Sequence, residues 1–134
     1  MKLSMNNLPK IFKTGLLVVG LSASAAKAED LNIHLPANAT ISRKVVQYQC
    51  DSQGTKIGVP SNPFPVEYIN GGGNSLAIVP ISGNLIIFSN VISGSGARYT
   101  AQQFTWWEGH GAVTLYADSL AGKLQSVCQP VQVK

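Results

Sequence analysis

Short apolar runs, each broken by glycine, proline, asparagine or serine, follow one another along the chain from Ile41 onward. No segment holds a period of 3.6 residues over ten positions, so the pattern does not predict an amphipathic helix. Residues 41–50 alternate instead, with Val46, Tyr48 and Cys50 on one face and polar side chains on the other. That alternation is typical of a half-buried strand. The pattern therefore predicts an all-β protein.

The remaining apolar runs predict further short strands, separated by turn-forming segments. These strands cover residues 65–69, 76–81, 85–92, 98–107, 112–117 and 123–133. The glycine run at 71–73 suits a hairpin or a flexible loop, because glycine takes positive φ angles without steric cost. Seven or eight strands in about 95 residues indicate either a sandwich or a small antiparallel β-barrel. We favour a barrel of about eight strands, since closure removes exposed strand edges.

Two adjacent tryptophans lie at the end of the predicted strand 98–107. Because neighbours on a strand point to opposite faces, Trp106 shares a face with Phe104 and Trp107 lies on the other face. If Phe104 and Trp106 fill the barrel, Trp107 is partly exposed. Trp107 then either donates its indole N–H to the surface of a partner or packs beneath a loop of the same chain, and both interpretations stay open.

Residues 1–28 have the features of a secretory signal peptide. A start that carries three lysines is followed by an apolar core and by the small-x-small pattern Ala26-Lys27-Ala28. The apolar stretch is much shorter than the roughly 20 residues that span a membrane. We therefore expect cleavage after Ala28, a mature part at residues 29–134 that forms a single domain, a periplasmic location and no membrane anchor.

The positive charge of the chain belongs to this leader. The formal net charge is +4, from ten Lys and Arg and six Asp and Glu. Four of the basic residues lie within residues 1–28, so residues 29–134 carry six basic and six acidic side chains and no net charge. Nucleic-acid binding needs a basic patch and is not expected. Zero net charge is compatible with a homodimer but does not require one.

The chain contains two cysteines, Cys50 and Cys128. We expect them to form one disulfide, because thiols pair in an oxidising compartment. The bond would close a loop of about 78 residues, which the chain-entropy model values at about 4 to 5 kcal/mol of stability. The cysteines and the two histidines lack the spacing of metal ligands, so we expect no metal and no other cofactor.

The sequence contains no motif of a catalytic site. Paired carboxylates, the pattern G-x-S-x-G and a phosphate-binding loop followed by lysine are all absent. Glu108 and His110 could be imagined as an acid–base pair, but no third group is visible to orient the histidine. We therefore predict no catalytic residues and a protein that is not an enzyme.

A run of serine and glycine leads into the strand that contains Arg98. Such a run forms a tight turn, or it protrudes as a narrow loop that presents a hydroxyl and backbone N–H groups to the floor of a cleft. On the second interpretation the contact residues are Ser93, Gly94, Ser95, Gly96, Ala97, Arg98 and Tyr99.

With these residues the chain resembles the bacterial inhibitors of C-type lysozyme, the MliC/PliC family. The likeness covers about residues 45–129. It rests on Tyr48-x-Cys50-Asp51, the segment Ser95-Gly96-Ala97-Arg98-Tyr99-Thr100, Trp107 eight residues after Tyr99, the strand at 112–116 and Cys128-Gln129. Because no lipid-acceptor cysteine lies near the expected cleavage point, the chain is similar to the periplasmic branch.

The resemblance implies an eight-stranded barrel with a disulfide matching Cys50 to Cys128, whose loop at 93–99 enters the active-site cleft of C-type lysozyme. In the family, a serine at the position of Ser95 and a lysine fourteen residues later engage the catalytic carboxylates. Lysozyme acts through two carboxyl groups that flank the scissile bond, so donors aimed at both would exclude substrate. The implied function is an exported lysozyme inhibitor that protects peptidoglycan.

One position departs from the family pattern, because Gly109 and not lysine stands fourteen residues after Ser95. We hypothesise that Arg98 or His110 supplies the missing donor. The second contact segment then consists of Trp107, Glu108, Gly109 and His110. An acidic Glu108 would repel the two carboxyl groups, so we expect it to point aside or to meet a basic lysozyme side chain.

Two other classes of function remain as alternatives. A small-ligand-binding β-barrel of the periplasm would hold a pocket, whereas an inhibitor's barrel should be filled by Val46, Tyr48, Phe88 and Phe104 without a cavity. A glycan-cleaving enzyme would use Glu67, Glu108 or Asp118 and would turn over peptidoglycan instead of protecting it.

Overall fold

The computed structural model describes residues 15, 19, 20, 22, 24–132 and 134. The chain divides into two compact units, Met1–Ile33 and His34–Lys134. In the first unit the described residues lie outside helices and strands and are exposed. Most of the predicted signal peptide falls outside the described residues, so the leader and the 29–134 boundary stay predictions. Within the described part of the chain, no helix has the length and apolar character needed to cross a membrane.

The second unit contains eight strands and one short helix. In chain order these are β1 (Ser42–Cys50), α1 (Gly54–Ile57), β2 (Phe64–Gly71), β3 (Asn74–Ile81), β4 (Asn84–Val91), β5 (Ala97–Ala101), β6 (Phe104–Gly109), β7 (Ala112–Ser119) and β8 (Gly122–Pro130). Each strand pairs antiparallel with the next, and β8 pairs with β1 to close the barrel. The predicted all-β barrel of about eight antiparallel strands is confirmed.

Three of the hairpins turn through two residues that both have positive φ angles. This conformation matches the right-handed twist of the flanking strands and favours glycine at one or both positions. The three turn pairs are Gly72–Gly73, Ser82–Gly83 and His110–Gly111. The glycines at these positions therefore help to fix the register of the strands that they join.

Alternation along the strands places the largest apolar side chains inside the barrel. Trp106, Phe88 and Leu115 are fully buried. Tyr48 and Phe104 are buried beside them, and Val46 packs against the cluster from a partly buried position. Three of the four side chains that we expected to fill the barrel thus belong to its buried core, and Val46 packs at its edge. Trp107, on the opposite face from Trp106, is half-buried.

Most strand ends differ from the sequence prediction by one or two residues, and two differences are larger. The predicted strand 98–107 is two strands, because the chain turns at residues 102–103, where Gln102 has a φ of 52°. No glycine, proline or asparagine lies in this turn, so the sequence pattern did not predict it. The last strand ends at Pro130, short of the predicted end at Val133, which lies outside the described residues. Helix α1 was not predicted, since four residues are too few to show a helical period.

The barrel closes along the seam between β1 and β8. The register of this seam has three residue pairs, one of which is Cys50 with Cys128. These two cysteines form the expected disulfide. The neighbouring Asp51 adds side-chain contacts, since its Oδ2 accepts the Val127 backbone N–H at 3.0 Å and its Oδ1 accepts the Ser126 hydroxyl at 2.7 Å. A covalent bond and a hydrogen-bonded carboxylate therefore secure a short seam.

Candidate functional site

The loop at residues 92–96 joins β4 to β5 at one end of the barrel. This end, which also carries the turns at 72–73 and 110–111, is called the mouth below. Gly94, Ser95 and Gly96 are exposed at the loop, whereas Ser93 is half-buried and donates its hydroxyl to the Ser95 carbonyl. The tip of the loop is therefore accessible to a partner while its backbone is held by a local hydrogen bond.

Trp107 supports this loop from the outer face of β6. Its indole Nε1–H donates to the carbonyl oxygen of Ser95 at 3.0 Å. Its ring also lies beneath the guanidinium of Arg98, its cross-strand neighbour, with 5.7 Å between Cζ and the ring centroid. The sequence left open whether Trp107 contacts a partner or packs beneath a loop of its own chain. In the structure its indole N–H bonds to such a loop.

Gly96 brings the loop into direct contact with β6. Its φ is 63°, in the left-handed region that favours glycine. A Cβ added at this position would overlap the backbone carbonyl oxygen of Glu108 and would lie 3.4 Å from Cα of Gly109. Only a glycine fits this close approach of two backbones, so the loop depends on Gly96 for its position.

The second predicted segment, 107–110, lies beside the loop. Ala97 pairs with Glu108 and Arg98 with Trp107 across β5 and β6. His110 is exposed in the turn that follows, with a φ of 52° that histidine tolerates better than most residue types. The structure therefore brings the two predicted segments together, while their role in contacting a partner stays a prediction.

Tyr99 does not share the exposure of the loop. Because side chains alternate along β5, Arg98 points outward and Tyr99 points into the barrel, where only 6% of it is exposed. Its ring packs against Tyr68 with centroids 5.9 Å apart. Tyr99 therefore belongs to the floor beneath the mouth and not to the tip of the loop.

A chain of hydrogen bonds leads from the core to Glu108. Trp106 Nε1 donates to the Tyr68 hydroxyl at 2.9 Å, the Tyr68 and Tyr48 hydroxyls are 3.0 Å apart, and the Tyr48 hydroxyl donates to Glu108 Oε1 at 3.5 Å. Because an indole N–H only donates, the Tyr68 proton is free to point to Tyr48 and the Tyr48 proton to Glu108. Burial raises the pKa of both phenols, so they remain protonated donors. The chain ends on a carboxylate at the mouth.

The mouth opens into a depression of about 700 Å³. Its lining includes Tyr48, Tyr68, Tyr99, Glu108 and Lys44. The depression opens at the surface of the barrel, and the interior beneath it is filled by core side chains such as Trp106 and Phe88, as expected for an inhibitor. Inward-facing positions near the mouth are small or polar, so they leave space that the large core side chains do not fill. Lys44 and Tyr68 were not predicted as site residues, because only closure of the barrel brings their strands next to the loop.

The acidic residues of the enzyme alternative have separate environments. Glu67 forms an ion pair with Arg43 at 2.8 Å, and Asp118 lies 3.6 Å from Lys123. Glu108 lies in the mouth and contacts Tyr48. Among the described residues, no three His, Cys, Asp or Glu side chains are grouped so that they could hold a metal ion.

Residues 48–122 match the family described as membrane-bound lysozyme-inhibitor of c-type lysozyme, MliC. The chain belongs to this family. A curated relative from Pseudomonas aeruginosa, the membrane-bound lysozyme inhibitor of C-type lysozyme, is 44% identical over 90 residues. That match covers 66% of this chain and 65% of the relative, so slightly less than two thirds of the relative's length is matched.

A solved structure has the same fold. It is the crystal structure of Pseudomonas aeruginosa MliC in complex with hen egg white lysozyme, and it is 37% identical to this chain with a TM-score of 0.60. The match covers 78% of this chain and 99% of that MliC chain. This MliC protein therefore binds a C-type lysozyme in the crystal, and its barrel is similar to the one described above.

Proposed function

We propose that this protein inhibits C-type lysozyme by inserting the exposed part of the predicted 93–99 segment, the loop ahead of β5, into the lysozyme active-site cleft, without itself being an enzyme. The observation that carries the proposal is the exposed tip Gly94-Ser95-Gly96 on a base held by Trp107. Membership of the MliC family and the lysozyme complex of the structural relative support it.

Ser95 is the central residue of the proposed contact. Its carbonyl oxygen accepts hydrogen bonds from Ser93 and Trp107, whereas its hydroxyl donates to no other residue in the described part of the chain. The carbonyl therefore fixes the backbone, and the hydroxyl is available to one of the two carboxyl groups of the cleft. A hydrogen bond to a charged group is among the stronger ones that a hydroxyl makes.

Arg98 and His110 are the two candidates for a second donor. Arg98 lies on the outer face beside the loop, and stacking on Trp107 holds its guanidinium in place. His110 lies in the turn next to Gly109, close to the base of the loop. Arg98 is the better candidate, because a positioned guanidinium loses less side-chain freedom when it binds a carboxylate.

The proposed location is the cell envelope, which agrees with the relative described as membrane-bound. More specifically, we place the mature protein in the periplasm after cleavage of the signal peptide at residues 1–28. There it would protect peptidoglycan from lysozyme that crosses the outer membrane.

A small-ligand-binding function remains the second candidate, and the depression at the mouth is the observation that favours it. The interior beneath this depression is filled, because Trp106 and Phe88 are completely buried. A ligand would therefore bind at the surface of the barrel and not within it. Such a shallow site fits a protein contact better than the enclosed pocket of a carrier.

Lysis of bacterial cell walls by hen egg white lysozyme, with and without the purified mature protein, tests the proposal. We expect the protein to slow lysis, whereas a glycan-cleaving enzyme would accelerate it and a ligand carrier would leave it unchanged.

Ser95→Ala should weaken inhibition by about 1 to 3 kcal/mol, the cost of losing a hydrogen bond to a charged group. Ser89→Ala, an exposed serine on β4, is the control and should inhibit like the wild type. Full potency of Ser95→Ala would contradict the assignment of the loop.

A further inference from the structure

Glu108 is a half-buried carboxylate that lacks an ionic partner among the described residues. The ion pairs found there join Arg43 to Glu67 and Lys123 to Asp118. The hydrogen bond that Glu108 accepts from Tyr48 is long, at 3.5 Å. Carboxylates removed from water are usually paired, so Glu108 retains the capacity to bind a positive charge.

The surroundings of Glu108 suit an organic cation. Tyr48, Tyr68 and Tyr99 line the same depression, and their aromatic surface suits the alkyl stem of a basic side chain whose charge reaches Glu108. The depression, of about 700 Å³, is large enough for the end of a long basic side chain. Lys44 is the basic residue on its wall; it is exposed and forms no ion pair with Glu108 in the described structure.

Glu108 is also adjacent to the exposed loop. It pairs with Ala97 across β5 and β6, and its backbone carbonyl contacts Gly96. A protein that receives the tip of the loop must therefore cover the mouth as well. We propose that Glu108 binds a basic side chain, an arginine or a lysine, of the lysozyme that the loop enters. This inference rests on the proposed function and adds a charged contact to it.

The test compares Glu108→Gln with the wild type in the inhibition of hen egg white lysozyme. Glutamine keeps an acceptor for the Tyr48 hydroxyl, so the fold should persist, and thermal unfolding verifies this. We expect inhibition to weaken by about tenfold, which corresponds to the lower end of the coupling between close charge pairs across an interface. The difference from the wild type should shrink at high salt, because salt screens the attraction. Glu67→Gln is the matched control, since it replaces a carboxylate that is paired with Arg43 outside the mouth. It should inhibit lysozyme as well as the wild type does.

Inhibition by Lys44→Met tests whether the negative charge of Glu108 or the positive charge of Lys44 contacts the partner. We expect this variant to inhibit as well as the wild type or better, since it removes a positive charge that competes for Glu108. If Lys44→Met weakens inhibition and Glu108→Gln strengthens it, Lys44 is the contacting charge and the inference is wrong. Equal potency of Glu108→Gln and wild type at low salt would also overturn it, while the proposed function would stand. A wild-type protein that fails to inhibit would overturn both.

Discussion

At the end of the barrel covered by residues 51–63, apolar side chains and a glycine pack closely onto the core, whereas the mouth has an exposed loop and an open depression. At the covered end, Ile57 and Val59 are buried and Gly58 accepts a hydrogen bond from the Ser82 backbone N–H at 2.8 Å. Gly54 packs so closely on the disulfide that an added Cβ would lie 2.7 Å from Cβ of Cys50. We call this the closed end.

The mouth has the opposite properties. The tip of the loop is exposed, Glu108 lacks an ionic partner among the described residues, and the depression separates the strands that carry Lys44 and Glu108. Binding sites are commonly placed on loops that a rigid scaffold positions. If the function is as proposed, the closed end supplies stability and the mouth supplies recognition, so substitutions at the two ends should change different measurements.

Removal of the disulfide should have the largest effect on stability. In the double variant Cys50→Ala/Cys128→Ala, the free energy of unfolding should fall by about 4 to 5 kcal/mol, because a loop of 78 residues is no longer closed in the unfolded chain. Urea unfolding measures this change. The fraction that stays folded should inhibit lysozyme like the wild type. If potency is lost while the fold is intact, the two ends are not independent.

Alternation along the strands made most of the barrel predictable. It placed Val46 and Tyr48 on one face of β1 and separated Trp106 from Trp107, because the period of two follows from backbone geometry alone. The turn at Gln102 was missed, since glutamine there adopts a positive φ that its residue type does not suggest. Local sequence therefore determines the faces of strands better than it determines their ends.

The mouth was less predictable, because its residues come from distant parts of the chain. The loop could be named from its run of serine and glycine, and the segment 107–110 from the resemblance to the MliC/PliC family. Their contact through the Trp107 indole and the Ser95 carbonyl depends on the pairing of β5 with β6. The hydrogen bonds that join Tyr68 and Tyr48 to Glu108 need three strands in a closed barrel, which no local pattern encodes.

Gly96→Ala should produce the largest effect at the mouth. Alanine must adopt a φ of 63° and overlap the Glu108 carbonyl, so the loop has to move away from β6. We expect inhibition to weaken by at least about tenfold, equivalent to about 1.4 kcal/mol, in a lysozyme inhibition assay. Stability should fall by about 1 to 3 kcal/mol, the usual range for backbone strain.

Gly94→Ala is the matched control for this variant. An added Cβ at Gly94 has no atom within 4 Å, and its φ lies outside the left-handed region. A methyl group there should leave stability unchanged. If both alanine variants inhibit like the wild type, the position of the loop does not matter for inhibition.

Asp51→Asn should have the smallest effect, confined to the stability of the closed end. The Val127 backbone N–H and the Ser126 hydroxyl hold the pKa of Asp51 below its usual value. The folded state therefore favours the charged carboxylate, so this stabilisation is complete above a pH of about 3.9 and is lost as the pH falls through the lower folded pKa. At neutral pH the variant should lose about 1 kcal/mol, a low figure because Asp51 is exposed and solvent screens its charge.

The measurement is urea unfolding of both proteins between neutral and acidic pH. The difference between wild type and Asp51→Asn should shrink as the pH falls below about 3.9, since the carboxyl is then protonated first in the unfolded chain and, at the lower folded pKa, also in the folded protein. Asp118→Asn removes an exposed carboxylate 3.6 Å from Lys123 and is the control. It should lower the free energy of unfolding by less than Asp51→Asn does at neutral pH. A difference that is constant across this range would mean that the substituted asparagine disturbs packing and that the charge of Asp51 does not secure the seam.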